Sequence, residues 1–325
     1  MEPKKRLLCA ALCSLTAFAP ALSFAAETYP ERPIRVIVPF PPGGSNDVLS
    51  RYMGIKLSER MGQQFVIDNR PGGSGIIGAQ LAAEAPADGY SLLFVSVSWM
   101  LNAAVRKSLP YDVEKSFDPI SLMASAPNCL VVSPTGPYKT VADLVTAAKA
   151  KPGGLNFAST GTGGINHFGG ELFKIATKTS MVHVPYKGGN PAMTDVIAGN
   201  IPVMFSSVTQ TLPHVRAGRL KLLAVGSKER SEVVPDVPTV AESGYPGYEV
   251  TIWWGFAAPS GMPKPRMARV LKEINTVLDE ADTKKWLLSY AATPIKITQA
   301  AFKKQIRNEI IQWKKVAKQA KISLK

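Results

Sequence analysis

At 325 residues, 46% hydrophobic and 19% charged, the chain has ample apolar content for a core and a length more natural for two lobes than for one. Its formal charge is +14, yet the basic residues are scattered and show neither zinc-finger spacing nor an aromatic RNA-binding motif, which argues against nucleic acid as a partner. The remaining account of the charge is a positive field that draws in anionic ligands or lies near an anionic membrane face.

The first 25 residues read as a secretory signal: Lys4, Lys5 and Arg6, an apolar stretch from Leu7 to Leu22, then Ser23-Phe24-Ala25 as a small-x-small cleavage site. A membrane anchor fits less well, because Ser14, Thr16 and Pro20 interrupt a stretch that falls short of the ~20 apolar residues a span needs. Neither Cys9 nor Cys13 follows the pattern of a lipoprotein site. Cleavage would leave Cys129 without an intramolecular partner, so stability must come from the core. Removing Glu2, Lys4, Lys5 and Arg6 would lower the charge by 3 − 1 = 2, from +14 to about +12. An exported, periplasmic chain beginning at Ala26 is expected.

From Ile34 onward, short β-branched runs alternate with helical patterns. The strands expected are 34–40, 65–68, 92–96, 131–132, 155–158, 182–185, 202–205 and 220–225. The helices expected are 47–61, 76–83, 141–150, 165–176 and 192–198. This alternation predicts an α/β fold with mainly parallel sheets and helices on both faces, ligands sitting beyond the carboxyl ends of the strands. Near Ser125-Ala-Pro-Asn128 and again near Tyr248–Trp254 the chain crosses between two sets of such units. The expected division is a first lobe of 26–127 with 250–325, and a second of 128–249. In the basic stretch from Lys303 to Lys325, Phe302, Ile306, Ile310 and Trp313 keep helical spacing, which predicts a docked helix with a solvated Lys face.

Two loops carry most of the functional signal. The first strand empties into Phe40-Pro-Pro-Gly43-Gly44-Ser45 and then an Asn46-Asp47 helix start. Backbone N–H groups of Gly43, Gly44 and Ser45 at the positive end of a helix would favour a carboxylate or phosphate. The same build recurs where Ser159-Thr160 runs into Gly161-Thr162-Gly163-Gly164.

Other motifs have blander readings. Gly73-Ser-Gly-Ile-Ile-Gly78 matches a dinucleotide pattern, but Pro71 and Gly72 lengthen the turn and no acidic residue follows at the needed distance, so it is read as a tight loop packing a helix on its sheet. His167, His183 and His214 have no metal-ligand spacing. His167, in the first turn after the second Gly loop, is the histidine placed to reach a cleft, whereas His183 and His214 read as structural. No G-x-S-x-G elbow occurs, although a triad assembled from distant residues stays open. Tyr186 is either a ligand-stacking ring or an ordinary strand-end residue beside a solvated Lys187. Alternation at Trp253 and Trp254 sends one ring to the core and the other to the cleft, in an order the sequence leaves open.

These residues together resemble the extracytoplasmic solute receptors of tripartite tricarboxylate transporters, the Bug family. The resemblance spans essentially the whole chain after residue 25: Tyr29-Pro30, Val38-Pro-Phe-Pro-Pro-Gly-Gly44 with Asp47, Asn69-Arg-Pro-Gly-Gly73, Ala87-Asp-Gly-Tyr90, Tyr186-Lys-Gly-Gly189, Leu212-Pro-His214, Pro235-Asp-Val-Pro-Thr239 and Trp254-Gly-Phe256. It implies a type II periplasmic-binding-protein fold of two Rossmann-like lobes around a cleft, no catalysis, no cofactor and no metal. It also implies capture of a small organic carboxylate for delivery to membrane permease subunits; a monomer is expected, since nothing in the sequence supports a dimer. The family's first loop corresponds to Phe40, Gly43, Gly44, Ser45 and Asp47, with Asp47 placed to cap or orient its own loop and not to touch an anion. The second corresponds to Ser159, Thr160, Gly161, Thr162, Gly163 and Gly164. The chain departs from the family after the strand near Val203: Pro202 stands where Asp is common, and Ser206 and Ser207 stand where an Asp or Asn often follows. Hydroxyls in place of an acidic group predict a ligand without a free amine. The reading of another class is an exported hydrolase or isomerase acting on a carboxylate.

Overall fold

The computed structural model describes residues 28–319 and 322; the expected signal segment lies outside the described residues. The first half of the sheet runs β2 (Phe65–Asn69), β1 (Ile34–Val38), β3 (Ser91–Ser96), β9 (Thr251–Pro259) and β4 (Phe117–Val132), with the two-residue β10 (Thr293–Pro294) on β4. The second half continues from β4 through β7 (Val203–Ser207), β5 (Asn156–Ser159) and β6 (Val182–Pro185), with β8 (Lys221–Val225) also on β4. Both outer margins, β2-β1-β3 and β7-β5-β6, are parallel. The centre, where β9 and β4 meet their neighbours, is antiparallel.

One strand belongs to both halves. β4 pairs with β9 over Phe117–Pro127 and with β7 and β8 from Asn128 and Cys129 to Val132. The chain re-enters beside this point, where Asn128 N donates to Val250 O and Gly226 N to Asn128 O. The expected strand at 131–132 is therefore only the end of a 16-residue strand. Pro119 and Pro127 conceal the rest; Pro119 sits at a register shift, where a missing N–H costs no ladder bond.

The helices that read clearly in sequence form as expected. α2 (Ile76–Ala83) and α4 (Val141–Ala150) have the expected bounds, and α4 starts on a capping box of Thr140 and Asp143. α1 (Ser45–Met61) stops at Gly62 in the left-handed region. α5 (Ile165–Thr177), α6 (Gly189–Ile197) and α7 (Val208–Arg216) flank the second half. α3 (Val97–Val105), α8 (Lys264–Asp279), α9 (Ala281–Ser289) and α10 (Gln299–Gln319) cover the first. α10 buries Phe302, Ile306, Ile310 and Trp313, and the Trp313 ring meets Phe168 of α5 edge-on at 5.2 Å. Glu273 on α8 is buried, where Arg60 of α1 pairs with it at 2.7 Å.

Around the second half of the sheet the core divides into two clusters, one on each face. Leu130 and Val132 of β4 join a large cluster that includes Ile34, Phe94, Phe256 and Trp313. Cys129 and Val131, pointing the other way, join a smaller one with Met193, Met204 and Leu212. Among the described residues no helix is long and apolar enough to cross a membrane, and no group of three His, Cys, Asp or Glu side chains stands ready for a metal.

Candidate anion site

Five helices start at one cavity. α1 follows β1, α3 follows β3, α5 follows β5, α6 follows β6 and α7 follows β7. Residues of their first turns or caps line a space of about 60 Å³: Ser45 and Asn46, Ser96 and Ser98, Ile165 and Asn166, Gly189 and Asn190, Ser207 and Gln210. The partial positive ends of five backbone dipoles thus converge. No charged side chain is among the lining residues, and no histidine.

Three buried polar atoms on this wall have no hydrogen-bond partner within the protein: Trp254 Nε1, Gln210 Nε2 and Asn46 Oδ1. A buried donor without a partner costs about 1–3 kcal/mol, so two such donors in one anion-attracting cavity indicate a group they serve. The two tryptophans separate as alternation requires. Trp254 faces the cavity, while Trp253 Nε1 donates to Glu309 Oε2 on α10 at 3.0 Å.

The first Gly loop reaches the cavity through Phe40, Gly44 and Ser45. Gly43 is a correction: at φ +79° its N–H donates to Asp47 Oδ2 at 2.9 Å, so it closes the loop and is not presented to a ligand. Asp47 orients its own loop as expected, though not as the N-cap residue. The N-cap is Gly44, which puts Asp47 in the first turn, its carboxylate also held by Asn69 at 2.9 Å and Arg51 at 2.9 Å. Burial raises its pKa, but these bonds outweigh it and leave the group below the usual carboxylate range.

In the second loop, Thr160 lines the cavity, and its Oγ1 accepts from Asn166 Nδ2 at 2.9 Å. Gly161 and Thr162 line a neighbouring chamber. Ser159, Gly163 and Gly164 support the loop from behind. Ser159 Oγ lies 2.6 Å from His183 Nε2, Gly163 N donates to His167 Nδ1 at 3.2 Å, and Gly164 caps α5. His167 is a correction: its first-turn position places it to reach the cleft, but its Nδ1 is turned to Gly163 N and it does not line the cavity. It packs beneath the loop and is 7% exposed. Ser206 is fully buried, with Oγ 3.4 Å from Gln210 Oε1, and acts on the cavity through that amide. Tyr186 lines the neighbouring chamber, and its hydroxyl donates to Asp195 Oδ2.

The Ser159–His183 pair has the look of a nucleophile and base, but its surroundings do not fit that chemistry. Ser159 is fully buried behind the loop, and the His183 ring stacks on His167. Gly73–Gly75 forms a single 3₁₀ turn, and a Cβ at Gly78 would lie 2.8 Å from Pro39 Cα. That pattern serves close packing of α2 on the end of β1.

The two loops meet. Ser74 Oγ donates to Thr162 O at 2.6 Å, and Ile165 N donates to Ser98 Oγ at 3.2 Å. A Cβ at Gly43 would stand 2.8 Å from Asn190 Nδ2.

Sequence reasoning reaches Phe40, Gly44, Ser45 and Thr160 of this cavity, marks Ser207 as a hydroxyl in place of an acidic group and offers Trp254 as one of two rings for the cleft, but does not reach Ser96, Gly189 or Gln210. Ser96 ends β3 directly before α3, the strand-to-helix pattern that exposed the two loops, whereas Gln210, in the first turn of α7, carries no such mark.

Comparison with known proteins agrees with this geometry. The profile of the tripartite tricarboxylate transporter family receptor matches residues 49–322. Protein BugT of Bordetella pertussis is 35% identical over 307 residues, 94% of each chain. The periplasmic binding protein BugD superposes with a TM-score of 0.87 at 30% identity, covering 91% of this chain and 99% of that one. An R. palustris protein solved with adipate superposes with a TM-score of 0.88 at 34% identity, covering 91% and 99%. MatC of Rhodopseudomonas palustris, solved with malate, gives 0.84 at 28% identity over 89% and 99%. A profile match over most of the chain, together with a relative alike from end to end, makes this protein a member of the tripartite tricarboxylate transporter receptor family, whose members are solute receptors and not enzymes.

Proposed function

We propose that the protein is a periplasmic receptor that captures a small organic carboxylate without a free amine and presents it to the permease of a tripartite tricarboxylate-type transporter. The observation that carries this reading is the convergence of five helix starts on a cavity lined by no charged side chain, where Trp254 Nε1 and Gln210 Nε2 are buried without partners. Fixed dipoles and neutral donors stabilise a carboxylate with little reorganisation. An ammonium there would meet the positive helix ends with no acidic group to offset them. The relatives solved with adipate and malate support the ligand class.

Capture is by closure of two lobes, 26–127 with 250–325 against 128–249, acting as a monomer. The change of partners along β4 at Pro127 and Asn128, and the return of the chain at Val250, support that division. A hinge needs only a few residues of this kind, where elements end and begin. A thermal-shift and calorimetric panel of mono-, di- and tricarboxylates, aromatic acids and amino acids tests the reading. Stabilisation by one class of carboxylates is expected. Tighter binding of aspartate or glutamate than of any acid lacking an amine would overturn the ligand class, and silence to every carboxylate would overturn the receptor.

A further inference from the structure

The backbone of Asn128, where β4 changes partners, is committed on both sides: its N–H goes to Val250 O at 3.1 Å and its carbonyl takes Gly226 N–H at 2.6 Å. Its side chain is fully buried, and alternation along β4 puts it on the face of Leu130 and Val132, where Phe168 and Phe173 of α5 also pack. Two glycines leave room for it. A Cβ at Gly169 of α5 would stand 2.9 Å from Asn128 Oδ1, and one at Gly226 would stand 3.3 Å from Asn128 Cβ.

From this point a run of hydrogen bonds leads to the anion cavity. Asn128 Nδ2 donates to Asn166 Oδ1 at 2.8 Å, and Asn166 Nδ2 donates to Thr160 Oγ1 at 2.9 Å. Asn166 and Thr160 line the cavity, whereas Asn128 does not. Both bonds point the same way. Asn166, its oxygen taken by Asn128, turns its N–H groups to Thr160, and Thr160, accepting there, keeps its own proton for another acceptor. The far end of the run selects this direction. Asn128 Oδ1 is buried without a partner, and turning both amides over would exchange that orphan acceptor for orphan N–H groups, the rarer state in folded proteins. It would also make Thr160 donate to Asn166 and present only lone pairs to the cavity.

We propose that Asn128 is a positioning residue for ligand capture: through Asn166 it holds the Thr160 hydroxyl as a donor to the bound anion. The inference rests on the carboxylate-receptor reading and goes beyond it, assigning a part in binding to a side chain that lies outside the cavity. Asn128, Thr160 and Asn166 all fall in the proposed lobe 128–249, so this donor is set before the lobes close and needs no reorganisation when the carboxylate arrives.

Titration calorimetry of the purified full chain tests this, with succinate, malate, adipate, citrate, hexanoate and benzoate as probes and the tightest binder carried through the variants. Thr160→Val is expected to weaken binding about tenfold and Asn128→Ala about fivefold. Adding Asn128→Ala to Thr160→Val should cost less than about twofold more, because the hydroxyl it orients is gone. A side chain that only supports the fold would weaken both backgrounds by the same factor. Gly169→Ala gives a second route to the same amide, since its methyl group would press on Asn128 Oδ1; it should weaken binding when the Thr160 hydroxyl is present and not in Thr160→Val. Equal factors in the two backgrounds, or wild-type affinity in Asn128→Ala, overturn the relay while leaving the receptor reading intact, and should Asn128→Ala fail to fold, the Gly169→Ala pair decides by the same criterion. Silence of the wild-type chain to every probe overturns the receptor reading and the relay with it.

Discussion

The imidazole rings of His167 and His183 stack at 3.9 Å, 20° from parallel, directly beneath the second Gly loop. Each fixes one point of it: His167 Nδ1 accepts from Gly163 N, and His183 Nε2 is bonded to Ser159 Oγ. Burial pushes His167 down to about 4, with Lys174 adding to the effect. Burial likewise pushes His183 down to about 3, with His167 and Lys174 contributing. Glu171 Oε1 lies 3.7 Å from His167 Nε2, but its carboxylate is engaged at 2.8 Å by Lys174.

Stability is therefore expected to fall in mild acid. The unfolded histidines titrate near 6.5, above their folded values, so between those limits the unfolded state binds more protons. The stabilisation is complete above about pH 6.5 and is lost as pH falls through the folded values near 4 and 3. Melting temperature measured from pH 7.5 down to 4.5 should drop, and His183→Asn should flatten the dependence. A flat wild-type profile over that range would contradict the neutral pair.

Trp254→Phe removes the buried indole donor from the cavity. Carboxylate affinity is expected to weaken about tenfold, with a modest loss of melting temperature from the smaller ring. Trp253→Phe is the contrasting change, since it leaves the half-buried Glu309 with only Gln305 as a side-chain partner. It should cost about 1–3 kcal/mol of stability with affinity little altered. Calorimetry and denaturant unfolding on both variants separate the roles, and equal affinity loss in the two would refute the assignment.

Gly189 opens α6 against the amide of Gln210, where an added Cβ would stand 1.9 Å from Nε2. Gly189→Ala should displace Gln210 and weaken carboxylate binding by about tenfold or more while the protein still folds. Shortening the clashing side chain in Gly189→Ala/Gln210→Ala should relieve the strain, read as a higher melting temperature than that of Gly189→Ala alone.

Asp47→Ala removes the acceptor for Gly43 N–H and leaves Asn69 without one of its two acceptors. A loss of about 1–3 kcal/mol is expected, with faster amide exchange at Gly43. An unchanged exchange rate would show that the carboxylate does not hold the loop.

Legibility in the sequence followed the strength of local contrast. α2 and α4 are readable because each stands between turn signals, and α10 because its apolar residues recur on one face. α3 is hidden: Val97 to Asn102 is buried on every side, so no polar face marks the period. β4 is broken to the eye by Pro119 and Pro127. At the site, Gly-rich loops announce themselves. Gln210 and Trp254 line one cavity from α7 and β9, elements distant in sequence; no local pattern marks Gln210, and alternation marks Trp254 only as one of two rings.

The alternating side chains of β4 have a consequence for how the protein comes apart. Leu130 and Val132 anchor one cluster and Cys129 and Val131 the other, while residues nearer its start are bonded to β9. Neither half of the sheet can melt and leave this strand in place for its neighbour. Loss of order on one side strips the other of a central partner, so heating or denaturant should carry the molecule from native to unfolded in a single cooperative transition.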